Sequence, residues 1–146
     1  MNLHQTILNA YKYAKERNVE RIYWLVDIHD TVAEANYSDN LPRIIPESIP
    51  AIIDLKKFPE TCLILYSSCY KKDHKRYMDY FKDFYMEFDY FNENPEVKNT
   101  HTGDFSMKIY FNVLLDDKAG FEKSDWENVV ESVIIAREVY WGKELK

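Results

Sequence analysis

The spacing of apolar residues changes several times along the chain, and each change marks an element. Leu3, Ile7, Leu8, Ala10, Tyr11 and Ala14 recur at three- and four-residue intervals, predicting an opening amphipathic helix with Asn18, after Arg17, as its stop. Arg21 to Asp27 then reads Arg-Ile-Tyr-Trp-Leu-Val-Asp, a short apolar run without strict alternation. A strand buried on both faces has this pattern. Ile28 to Pro46 is polar, with Asn, Asp, Ser and Pro interspersed, and reads as a loop with room for a short helical turn. Ser48 is placed to cap a helix running to about Lys57, with Pro50 in its first turn and Ile52, Ile53 and Leu55 as apolar surface.

Pro59 marks the end of that helix, and Cys62 to Ser67 is a second buried strand. Asp73 to about Met86 has helical period, with Tyr77, Met78, Tyr80, Phe81 and Phe84 on or near one face. Phe88 to Phe91 is a further strand candidate, ended by Asn92-Glu93-Asn94-Pro95, and the chain to Ser106 reads as loop. Tyr110 to Leu115 is another strand, and Ser124-Asp-Trp-Glu127 is a capping box opening a last helix. Val129, Val130, Val133, Ile134 and Val139 are the expected buried stripe of that helix.

Apolar strands alternating with helices predict an α/β fold: a Rossmann-like, mainly parallel sheet with helices on both faces, joined by right-handed crossovers. No internal repeat or boundary interrupts the pattern, so residues 1–146 are expected to form a single domain. In such sheets ligands collect beyond the carboxyl ends of the strands. Three segments occupy those ends: Asp27 to Val32, Ser67 to Lys72, and Asp116 to Phe121.

Composition narrows the picture. A content of 46% hydrophobic and 30% charged residues, with 3 Gly and 5 Pro, excludes a disordered or low-complexity chain. With 19 basic against 25 acidic residues the formal net charge is −6, which opposes broad attachment to nucleic acid or to anionic lipid. Any phosphate handled here must therefore meet local positive charge or a bound cation. Cys62 and Cys69 are too few for a disulfide framework, and a reducing, cytoplasmic setting is expected. No run approaches the roughly 20 apolar residues of a membrane span, and Met1 to Arg17 lacks a signal-peptide core. The oligomeric state is left open.

The strand ends carry the candidate chemistry. Asp27 follows Tyr-Trp-Leu-Val, Ser67 follows Leu-Ile-Leu-Tyr, and Asp116-Asp117 follows Val-Leu-Leu. Isolated charges are costly to desolvate, so carboxylates at the ends of buried strands need a compensating partner. A hard cation held by Asp27 and Asp116 supplies one, and an all-oxygen donor set favours Mg²⁺ over zinc.

With these residues in place, the chain resembles a small, capless member of the haloacid dehalogenase superfamily of phosphohydrolases. The first motif of that family, an apolar strand followed by Asp-x-Asp-x-Thr or Val, corresponds to Asp27-Ile28-His29-Asp30-Thr31. Leu63-Ile-Leu-Tyr-Ser67 matches the second, and Asn112-Val-Leu-Leu-Asp116-Asp117 the fourth. The third is a lone lysine, which points to Lys108, with Lys98 as the alternative.

The resemblance implies a Mg²⁺-dependent phosphomonoester hydrolase acting through an aspartyl-phosphate, on a phosphorylated substrate such as a nucleotide or a polynucleotide end. Asp27 is then the nucleophile. It shares the metal with the backbone carbonyl of His29 and with Asp116, while Asp117 acts through metal-bound water. Ser67, or Ser68 beside it, donates to the phosphoryl group, Lys108 neutralises it, and Thr31 orients the nucleophile loop. His29 stands where the family places an acid/base Asp; imidazole, with an ordinary pKa near 6.5, suits either proton-transfer role. Asp30 is the alternative for that role. Lys71 and Lys72, with His74, Lys75 and Arg76, form either a solvated helix face or a positive rim for an anionic substrate. The alternative reading is a catalytically impaired relative that binds a phosphorylated ligand or a protein partner.

Overall fold

A computed structural model describes residues 2–36 and 38–143. The chain runs α1 (Leu3–Glu16), β1 (Ile22–Asp27), α2 (Ser48–Leu55), β2 (Thr61–Tyr66), α3 (His74–Lys82), β3 (Tyr90–Phe91), β4 (Val113–Leu115) and α4 (Trp126–Ala136). The four strands form one parallel sheet in the order β3-β2-β1-β4. From β1 the chain steps outward through α2 to β2 and through α3 to β3. It then returns along 92–112 to place β4 on the other side of β1. The strand order therefore reverses at β1, and the carboxyl end of β1 opens between two diverging connections. Asp27 is the last residue of β1.

The α/β class and the parallel sheet are as expected, and no separate cap is present among the described residues. The two faces of the sheet are covered unequally. Ile22, Trp24 and Val26 of β1 join Leu63, Leu65, Val113 and Leu115 in a core packed by residues of all four helices. On the other face Tyr23, Leu25, Cys62 and Ile64 are covered by Val97, Ile109, Tyr110 and Phe111, from a segment with no helix. Helices thus gather on one face rather than on both. No described helix is long and apolar enough to cross a membrane.

The segment 92–112 is bonded to the sheet at both ends through Asn92 and Asn112, and between them one carboxylate gathers several partners. Arg21 donates through Nε and Nη2 to the two oxygens of Glu96, at 2.9 Å each, and the hydroxyls of Tyr90 and Tyr23 donate to it at 2.8 and 3.3 Å. The Arg21 hydrogen bonds pull the Glu96 carboxyl down to about 2. Burial does the opposite for the Cys62 thiol beside it, which is pushed up to about 12 and packs as an apolar group.

Several element ends depart from expectation for identifiable reasons. Ser48 is the first residue of α2, not its cap: its hydroxyl donates to the Ile45 and Val32 carbonyls. Helix α3 closes earlier than Met86, because Tyr85 adopts a left-handed φ of 64° and a Schellman arrangement follows, with Met86 N–H donating to Phe81 O and Tyr85 N–H to Lys82 O. Glycine usually occupies that position, and its absence hides the stop. The capping box comes two residues early, between Glu122 and Asp125, because a 3₁₀ turn (Lys123–Asp125) leads into α4. After α4 the chain widens into a π turn (Arg137–Trp141). The wider turn rotates Arg137 inward and leaves Val139 61% exposed, so Val139 is not part of the buried stripe.

Arg137 is the partner of Glu60, and both are nearly inaccessible. Tyr11 completes the group by donating to Glu60 at 2.7 Å, which joins α1, the residue before β2 and the end of α4. Removing one member of a buried ion pair strands the other charge. Arg137→Met is expected to destabilise the protein by about 3–5 kcal/mol. Urea denaturation should show this loss largely relieved when Glu60→Gln is added.

Candidate functional site

The carboxyl edge of the sheet gathers its polar groups by strand geometry. Asp27 ends β1 opposite Tyr66 of β2, and Asp116 and Asp117 follow β4 directly. One carboxylate oxygen from each of Asp27, Asp116 and Asp117 lies within 4.8 Å of the others. Together with His29, Ser67 and Ser68 they line one open cleft of about 460 Å³.

The loop after β1 is a tight turn. The Ile28 carbonyl accepts from the N–H groups of Thr31, Val32 and Ala33, and Asp30 takes a left-handed φ of 63°. Asp adopts this conformation more readily than most side chains. The Asp30 carboxylate accepts from Ala35 N–H at 3.0 Å, so it is engaged in holding the loop, although it still lines the cleft. The His29 carbonyl accepts no hydrogen bond among the described residues. Its ring, half-buried, meets Tyr77 of α3 edge-on, with centroids 6.0 Å apart and Nε2 3.4 Å from the Tyr77 hydroxyl.

Thr31, fully buried, is the joint of the site. Its hydroxyl donates to Asp27 Oδ2 and accepts from Asp117 N–H, both at 3.1 Å, and its carbonyl accepts from the Trp126 indole at 2.9 Å. Its role as an orienting residue is therefore to bind the β1 loop to the β4 loop.

Ser67 is fixed from the side. Asn92, just past β3, accepts from Ser67 N–H at 2.9 Å and donates to Ser67 O at 2.6 Å, continuing the strand pairing with a side chain. The Ser67 hydroxyl oxygen accepts from Cys69 N–H at 3.3 Å, which leaves its hydrogen for an acceptor in the cleft. Ser68 is exposed at the cleft wall.

The lysines are distributed differently from expectation. Lys98 and Lys108 are exposed and do not line the cleft. Lys98 lies two residues from Glu96, which is bound to Arg21 ahead of β1. Lys108 lies on the approach to Asn112, whose side chain accepts from Tyr23 N–H. Glu96 and Asn112 thus sit toward the amino edge of the sheet, and β1, at about 3.3 Å per residue, separates that edge from Asp27. Lys71 and Lys72 are exposed on a 3₁₀ turn (Lys71–Asp73), where Lys72 covers the Tyr70 ring and borders a separate shallow groove on α3 with Lys75 and Arg76. Among the described residues the lysine that does line the cleft is Lys118, accompanied by Tyr66, Ala35 and Asn36. Lys118 stands in the same Asp-Asp-Lys run as the acids. Asn92 follows β3 as Ser67 follows β2, so extending the strand-end rule to the shortest strand would have found it.

The donor set fits a hard divalent cation. All three side-chain donors are carboxylates, and no Cys or His joins them. Burial pushes the Asp27 carboxyl up to about 7, helped by Asp117 and Asp116 and opposed by the Thr31 hydrogen bond. A raised carboxylate of this kind marks a site short of positive charge.

No protein-family model matches the chain, and no curated protein does. Its fold is similar to that of a solved structure, a conserved protein from Bacteroides thetaiotaomicron. The TM-score is 0.57 at 21% sequence identity, over 84% of this chain and 93% of that one. The likeness is one of fold.

Because the folded carboxyl of Asp27 titrates near 7 and an unfolded one near 3.8, the folded state holds a proton between those values that the unfolded chain has lost. Stability without divalent ions therefore falls as pH rises through this window. Asp27→Asn removes the effect. At pH 8 in chelator the variant is expected to melt above the wild type, and below pH 4 the two should coincide. Solvent screening of this half-buried group trims the gain to about 1 kcal/mol, or roughly 2–4 °C.

Proposed function

We propose that this protein is a Mg²⁺-dependent phosphomonoester hydrolase that works through a covalent intermediate on Asp27. The observation that carries the reading is the meeting of Asp27, Asp116 and Asp117 at the point where the strand order reverses, in one cleft with His29 and Ser67. Asp27 and Asp116, with the free carbonyl of His29, would hold the ion, and Asp117 would act through its water. Bound there, Mg²⁺ supplies the charge that keeps Asp27 ionised at neutral pH and offsets the phosphoryl oxygens.

The residues of the chain then divide the work. Thr31 occupies Oδ2 of Asp27, so Oδ1 is the oxygen available to attack phosphorus. As the new bond forms, the bond to the ester oxygen breaks, and protonated His29 gives its proton to the departing alkoxide. The neutral imidazole then takes a proton from water, whose oxygen attacks the aspartyl-phosphate, releasing phosphate and restoring Asp27. Ser67 donates its hydroxyl hydrogen to a phosphoryl oxygen throughout, and Ser68 borders the same position.

The open cleft and the lack of a cap among the described residues suit a nucleotide or a polynucleotide end. The net charge of −6 argues against broad nucleic-acid binding. Two unpaired cysteines fit a reducing, cytoplasmic setting. One observation favours a second reading, a catalytically impaired protein that binds a phosphorylated ligand or a protein partner: the His29 ring leans on Tyr77, which competes for its Nε2.

The enzyme reading predicts turnover of an aryl phosphate with Mg²⁺ that is lost in Asp27→Asn by a factor of about 10³ or more. Absence of both turnover and Mg²⁺ binding in the wild type would sink it. His29→Asp separates the two readings, since hydrolysis should persist or rise if imidazole fills the acid/base role. A folded but inactive His29→Asp protein contradicts that assignment.

A further inference from the structure

Three ionised carboxylates and a phosphoryl dianion outweigh the charge of a single divalent ion, so a phosphoryl group in this cleft needs a further cation within reach. Asp30 adds a fourth acid to the lining. Of the lysines and arginines on the described residues, Lys118 is the one that lines the cleft. We propose that Lys118, directly after the acid pair, is the residue whose ammonium group contacts the phosphoryl oxygens, in place of a lysine ahead of the last strand. This rests on the phosphohydrolase reading and concerns one residue within it.

The backbone around Lys118 is fixed to the acids. Its N–H donates to Asp116 Oδ1 at 2.9 Å, and the N–H groups of Ala119 and Phe121 donate to the Asp116 carbonyl at 2.9 and 3.1 Å. The preceding residue, Asp117, is tied to Thr31. Gly120, at a φ of 96°, turns the chain so that Phe121 sinks against Trp126, with ring centroids 4.9 Å apart. That indole in turn holds the Thr31 carbonyl. A short 3₁₀ turn (Asp117–Ala119) clamped in this way cannot carry the Lys118 Cα away from the carboxylates, and a flexible four-carbon stem is enough to bring the ammonium over the cleft. Lys98 and Lys108 lack this placement, because neither lines the cleft.

The test is equilibrium binding of tungstate, a tetrahedral oxyanion, to the full chain in saturating Mg²⁺, read by calorimetry. Lys118→Ala is expected to weaken tungstate by about tenfold or more, as loss of a charge-assisted hydrogen bond would. Lys118→Arg should recover most of the affinity, and Lys108→Ala and Lys98→Ala should stay within about twofold of the wild type. An unchanged melting temperature in Lys118→Ala excludes a folding defect. Wild-type affinity in Lys118→Ala overturns the assignment, and a matching loss in Lys108→Ala transfers it to that residue. A wild type that binds no tungstate in Mg²⁺ fails the phosphohydrolase reading itself and takes this inference with it.

Discussion

Crowding of three carboxylates at the edge of an otherwise apolar sheet is the constraint around which this protein is arranged. Like charges within 4.8 Å, partly withdrawn from water, oppose folding, and the cost is visible in the elevated Asp27 carboxyl. Only a rigid frame holds such groups together. The frame is made of backbone N–H groups and one buried hydroxyl: Thr31 bridges Asp27 to Asp117, and the Lys118 N–H fixes Asp116. Trp126 brings the start of α4 into the same frame, so the helix that covers the sheet also steadies the loop at its edge.

Stability is concentrated elsewhere. The apolar interior on the helical face runs from α1 through β1 to α4, and the Tyr11–Glu60–Arg137 group ties its far end. Glu60 precedes β2, at the amino edge, and Asp27 ends β1 at the carboxyl edge. The strained chemistry and the main buried ion pair therefore occupy opposite ends of the same sheet, and a change at one need not disturb the other.

Legibility in the sequence followed the length and burial of each element. The six-residue strands β1 and β2 are unbroken apolar runs, and their ends pointed directly to Asp27 and Ser67. Strands β3 and β4, two and three residues long, carry too little pattern to fix their bounds. The α3 stop was hidden because a tyrosine occupies the left-handed position, and Val139 was misplaced because a π turn shifts the helical phase. Within the site the acids were legible because charge at the end of a buried strand needs an explanation. Asn92 was not, since it acts by imitating backbone. A lysine at the cleft could not be chosen by order along the chain, because the route of 92–112 across the second face decides which lysines return to the carboxyl edge.

That route has a mechanical consequence. Local hydrogen bonding stabilises a helix from within, whereas 92–112 depends on its attachments to the sheet, chief among them the Glu96 carboxylate gripped by Arg21, Tyr23 and Tyr90. Such a covering can detach as a unit while the helical face stays packed. The protein is thus built as a durable half and a removable half sharing one sheet, and its amides divide accordingly. Those of 97–111 are expected to exchange through local opening, and those at the centre of β1 and β2 only when the whole structure comes apart.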